Sequence, residues 1–187
     1  MKNIPALDSK VLDLVTEISK EPKVEAAMAF IKDQTEVAMQ EQIELCEIEA
    51  PTFHEEKRAA SVAERMKQYG LTDVHIDEIG NVIGIRKGTG SGPVLAIGAH
   101  MDSVFPAGTD VKVKKEGNIY RAPGIGDNCS GLRALLQVLR AMEKEDIRTV
   151  GDIWFVGTVG EEGNGDIRGS KHLCANNKLD GFVAIDS

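Results

Sequence analysis

His100 and Asp102 close the apolar run Val94–Ala99 as His-Met-Asp. Two later stretches offer more of the same chemistry: Gly124-Ile-Gly-Asp127-Asn-Cys-Ser-Gly131 and Gly160-Glu161-Glu162-Gly163. An imidazole at a strand end with a carboxylate beside it is how a metal-binding histidine is commonly held, one ring nitrogen on the ion and the acid fixing the ring. One imidazole among several carboxylates suits zinc or a similar hard-to-borderline cation. Two such ions need a bridging carboxylate to offset their repulsion, and together they activate water and polarise a carbonyl. A free carboxylate must still take the water's proton. Adjacent glutamates such as Glu161-Glu162 can divide that work, one on the metal and the other as general base.

These residues need elements that bring them together, and hydropathy patterning supplies them. His100, Glu161 with Glu162, and Asp186 each stand just past an apolar run that reads as a strand: Val94–Ala99, Ile153–Val156 and Phe182–Ile185. Asp127 sits just before a helix carrying Leu132, Leu135, Leu136 and Leu139 on one face. In open α/β sheets, sites assemble at the carboxyl ends of strands. Strands alternating with helices predict an α/β domain, a central mixed and largely parallel sheet flanked by helices.

Upstream the period is helical. Val11, Leu14, Val15 and Ile18 form one stripe after a cap at Asp8 or Ser9, and Val24, Ala27, Met28 and Ile31 form another opened by Pro22. Both stripes, continued by Met39, Ile43 and Cys46, are expected to pack on the domain core. Thr52-Phe-His-Glu55 matches a capping box ahead of a helix that Gly70 stops. Val74 with Ile76 and Asn81–Ile85 read as paired strands, and Glu116-Gly117-Asn118 as the tip of a surface hairpin. The division expected is residues 1–50 as an N-terminal helical arm and 51–187 as a metal-binding catalytic domain.

Composition excludes several classes. The 187 residues hold 22 Lys plus Arg against 30 Asp plus Glu, a net charge of −8, so binding along a phosphate backbone is disfavoured. No apolar run approaches the length of a membrane span. Three cysteines with no Cys-x-x-Cys spacing argue against disulfides and thiolate zinc sites and fit a reducing, cytoplasmic setting. Gly163–Gly169 misses both dinucleotide and Walker spacing, and two glutamates before it would repel phosphate. His54, His75 and His172 lack partner motifs, and Trp154 reads as core.

The segments 99–110, 124–131 and 160–166 together resemble the dinuclear zinc metallopeptidases, the family of aminoacylase, tripeptide aminopeptidase, glutamate carboxypeptidase, acetylornithine deacetylase and succinyl-diaminopimelate desuccinylase. The resemblance runs from about Pro51 to the end, and the helices before Met39 are not covered. It implies His100, Asp127, Glu162 and Asp186 as metal ligands, with Asp127 bridging two Zn2+ that Co2+ or Mn2+ can replace. It implies Glu161 as general base and Asp102 as the partner that orients His100. Asn128 stands where a second acid often follows the bridging aspartate. The substrate implied is a small peptide or an N-acyl amino acid. An N-deacylase of the acetylornithine or desuccinylase type, and a non-catalytic fragment that keeps the fold, are the alternatives. The family pattern adds a distant histidine ligand after an inserted dimerisation domain. The chain ends at Ser187 before either, so homodimerisation is expected of a longer protein, and the 187-residue chain is expected to be inactive alone.

Overall fold

A computed structural model describes residues 8–187. Six helices, α1 (Ser9–Ser19), α2 (Pro22–Asp33), α3 (Thr35–Cys46), α4 (Glu56–Gln68), α5 (Cys129–Lys144) and α6 (Arg168–Asn176), surround a five-stranded sheet. Its strands are β1 (Asp73–Ile76), β2 (Val82–Arg86), β3 (Leu95–His100), β6 (Ile153–Thr158) and β7 (Gly181–Ala184), while β4 (Lys114–Glu116) and β5 (Ile119–Arg121) make a separate hairpin.

The sheet order is β1-β2-β6-β3-β7. The neighbours β6, β3 and β7 are parallel, and β1 and β2 add antiparallel pairings at one edge. The mixed sheet of the sequence reading is therefore present, with its parallel half where the candidate residues lie. Strand alternation divides the core. Ala99 and Phe155 face the larger cluster with Leu45, Val62, Met66 and the leucines of α5. Ala96 and Val156 face the smaller one with Leu173 and Phe182. Among the described residues, no helix is long and apolar enough to cross a membrane.

Two local expectations are corrected. Helix α1 is capped by Asp8, whose side chain accepts from the Lys10 N–H, but none of its residues is buried and Val11, Leu14, Val15 and Ile18 stay exposed. Its stripe does not join the core; helix α2 buries Ala27, α3 buries Leu45 and Cys46, and both lie against α5. The Thr52–Glu55 capping box is also absent, because α4 begins at Glu56 and its cap makes no side-chain bond. The Thr52 and Glu55 side chains bond to distant groups instead. Residues 1–7 of the expected helical arm lie outside the described residues.

Candidate metal centre

Register explains why the candidate residues meet. β3 is central in the parallel trio, so His100 at its end lies beside Thr158 of β6, and Gly98 pairs with Ala184 of β7. The chain leaving β6 reaches Glu161 and Glu162 on one side of His100, and the chain leaving β7 reaches Asp186 on the other. The N-terminus of α5 delivers Asp127, and the Asp127–Asn128 peptide bond is cis.

His100 is 4% exposed. Its Nε2 faces four acids, standing 3.0 Å from Asp127 Oδ1, 3.6 Å from Asp186 Oδ1 and 4.0 Å from Glu161 Oε2, while Glu162 offers an oxygen within 4.8 Å of the His100 and Asp127 ligand atoms. Its Nδ1 lies 3.1 Å from the Asp102 main-chain oxygen and 3.5 Å from Asp102 Oδ1. Both neighbours of Nδ1 only accept, so Nδ1 carries a hydrogen, and Nε2, which faces the acids and donates to Asp127 Oδ1 when the ring is protonated, is the nitrogen that a cation would take in place of that proton. The carbonyl makes the shorter contact, so main chain and carboxylate of Asp102 share the orienting of the ring.

Burial alone would lower the His100 pKa. The Asp102 contact and the nearby charges of Glu161 and Asp127 outweigh it and lift the value to about 9. Burial likewise works to raise Asp102, yet hydrogen bonds from His100, the Glu161 and Glu162 backbone and Thr52 hold it at about 2. Glu162 is raised, by burial first and then by the charge of Asp127. Among the described residues, Asp127, Glu161, Glu162 and Asp186 form no ion pair with a lysine or arginine. Four acids around one imidazole with no basic side chain is a set that a divalent cation fits: hard oxygen donors, one ring nitrogen and uncompensated negative charge.

Several supports were not read from sequence as such. Asp102 Oδ1 accepts the Glu161 N–H at 2.9 Å, and its Oδ2 accepts the Glu162 N–H at 3.1 Å and the Thr52 hydroxyl at 2.9 Å. Glu55, 3% exposed, accepts the Gly160 N–H at 3.0 Å. The fully buried Arg58 donates to the Met101 and Ile48 carbonyls at 2.7 and 2.6 Å, pinning the turn after His100. Asn128 Oδ1 caps α5 through the Gly131 N–H at 3.0 Å while its Nδ2 donates to the Ile185 carbonyl at 2.9 Å. One asparagine thus ties the Asp127 turn to the strand end preceding Asp186, a bond that an acid at this position could not donate when ionised. His172 pairs with Glu78 at 2.9 Å instead of joining the His100 cluster. Beside Glu162, a cavity of about 330 Å³ opens between Thr52, Phe53, Val104, Phe105 and Asn164.

Residues 96–186, which hold every candidate ligand, match the profile of the Peptidase family M20/M25/M40. Those residues carry a domain of the M20 peptidase family. A protein of Pyrococcus abyssi, provisionally named LysW-lysine/LysW-ornithine hydrolase, is 35% identical over 120 residues, covering 64% of this chain and 32% of that protein. Among solved structures, a tripeptidase from Staphylococcus aureus superposes with a TM-score of 0.66 at 31% identity, covering 80% of this chain and 43% of the other. Aminopeptidase PepT from Bacillus cereus gives a TM-score of 0.67 at 24% identity over the same shares, a likeness of fold. The chain therefore spans about a third of the length of that curated relative. These M20 relatives carry the names of peptide or amino-acid hydrolases.

Proposed function

We propose that residues 51–187 supply the metal-binding half of an enzyme that hydrolyses an amide bond in a small peptide or N-acyl amino acid. The observation that carries this reading is the convergence of Asp127, Glu161, Glu162 and Asp186 on His100 with no basic side chain among them. His100, Asp127 and Asp186 would hold one zinc ion, and Asp127 and Glu162 would hold part of the shell of a second. Zinc bound there would polarise the scissile carbonyl and acidify water. Glu161, a third exposed and not needed as a ligand, takes the proton of the attacking water and passes it to the leaving amine. Asp102 keeps the Nδ1 hydrogen of His100 in place and holds the Glu161–Glu162 backbone still. The peptide reading draws support from the tripeptidase at 31% identity.

The test is zinc-loaded protein assayed on a panel of di- and tripeptides and N-acyl amino acids, with metal content measured on the same samples. Release of amino acid that disappears on chelation and returns with zinc supports the reading. Protein that binds no divalent metal would overturn it.

A further inference from the structure

Three consecutive backbone N–H groups, those of Gly160, Glu161 and Glu162, all end on buried carboxylates from distant parts of the chain. Two go to Asp102; the first goes to Glu55 Oε1 at 3.0 Å. We propose that Glu55, neutralised by Arg168, is a positioning residue that sets the turn from which Glu161 and Glu162 project toward His100. The proposal rests on the metal-centre reading above.

Burying a carboxylate for one backbone bond would be a poor route to stability, since the desolvation penalty is large unless the charge is paired. Glu55 is paired. Its Oε1 also accepts the Phe53 N–H at 3.1 Å, and Arg168 Nη2 lies 3.3 Å from Oε1 and 3.2 Å from Oε2. Arg168 is clamped in turn. Its Nη1 donates to the Ile79 carbonyl at 2.9 Å, its guanidinium lies 5.3 Å from the Phe53 ring, and its own N–H donates to the Gly160 carbonyl at 3.0 Å. Glu55 and Arg168 therefore grip Gly160 through its N–H and its carbonyl. The grip requires glycine, because Gly160 has φ +57° and a Cβ there would meet Arg168 Nε at 2.5 Å. Arg168 ion-pairs with Glu55 and with none of the four acids around His100. They act through the backbone alone, where a shift of about 1 Å is enough to misplace a base or a ligand.

The test uses the chain loaded with Co2+, whose visible absorption reports ligand geometry, with affinity read by competition with a chelator. Glu55→Ala is expected to take up cobalt with a changed spectrum and about ten- to a hundredfold weaker binding, the usual effect of removing an outer support. Glu55→Gln keeps an acceptor for the Gly160 N–H and is expected to recover most of both. If Glu55→Ala does not fold, Arg168→Gln is read in its place and should reproduce the changed spectrum. A spectrum and affinity equal to the parent's in the folded variants, even with a lowered melting temperature, would overturn the proposal and leave the pair a structural one. A parent chain that takes up no cobalt would overturn the metal-centre reading, and the proposal with it.

Discussion

Asp102 Oδ1 accepts the backbone N–H of Glu161 at 2.9 Å, so the carboxylate two residues past His100 also holds the residue assigned as general base. One side chain thereby couples the end of β3 to the loop after β6. Asp102→Asn tests this coupling. An asparagine has one acceptor oxygen where the Glu161 and Glu162 N–H groups and the Thr52 hydroxyl converge beside His100, and its NH2 must face an N–H or a hydroxyl. Zinc affinity, measured against a chelator, should fall by about ten- to a hundredfold. Unchanged affinity would mean that the donors find other partners and that the coupling has no bearing on the metal.

The same residue makes the metal-free protein acid-sensitive. Its pKa is lowered in the fold, from 3.8 to about 2, so its stabilisation is present above 3.8 and is lost as pH falls toward 2. His100 runs the other way. Its pKa is raised, so its contribution is complete below 6.5 and is lost as pH rises through about 9. Melting temperatures of chelator-treated protein should therefore decline on both sides of the interval between 3.8 and 6.5. In Asp102→Asn the part of the acid decline due to Asp102 should vanish; an identical acid profile would refute its assignment.

Glu161→Gln should abolish hydrolysis while leaving metal content nearly intact. Loss of a general base costs on the order of a hundredfold to ten-thousandfold in rate. Glu161 Oε2 stands 4.0 Å from His100 Nε2, and the proposed first ion has His100, Asp127 and Asp186 as its ligands without it, which leaves Glu161 for the proton. Elemental analysis of the purified variant decides: metal lost together with activity would make Glu161 a ligand.

Zinc titrated into metal-free 187-residue chain should reveal one tight site. On the proposed assignment, His100, Asp127 and Asp186 would give the first ion three protein ligands, the usual number for a catalytic zinc. For a second ion the described residues offer Asp127 and Glu162, one short of that number. Calorimetry giving two equally tight sites would show that another residue completes the shell.

How much of this was open to sequence reading follows from where each interaction lives. Strand ends announce themselves because a strand buried on both faces must be apolar throughout, so the residue that ends the run is conspicuous. His100, Glu161 and Glu162 follow such strands, Asp186 follows the apolar run of the partly exposed edge strand β7, and Asp127 stands where a helical period begins. The helix of Leu132, Leu135, Leu136 and Leu139 and the hairpin at Gly117-Asn118 were legible for the same reason, a local period or a local turn.

What sequence could not decide was which distant groups meet. Thr52 and Glu55 have the types and spacing of a capping box, but the acceptor and the donor that claim them, Asp102 and the Gly160 N–H, come from the segments that follow β3 and β6, 50 and 105 residues away in the chain. The local cap loses because the tertiary partners are buried and would otherwise go unpaired. Helix α1 erred in the opposite sense: its apolar stripe is real, yet an amphipathic period fixes only that a face is apolar and not what covers it. The sequence by itself determined which residues have the types that could hold a metal and that strands and a helix would present them. Only the tertiary structure decided that the parallel order β6-β3-β7 gathers them around one imidazole, because strand order is set by long-range packing that no local pattern encodes.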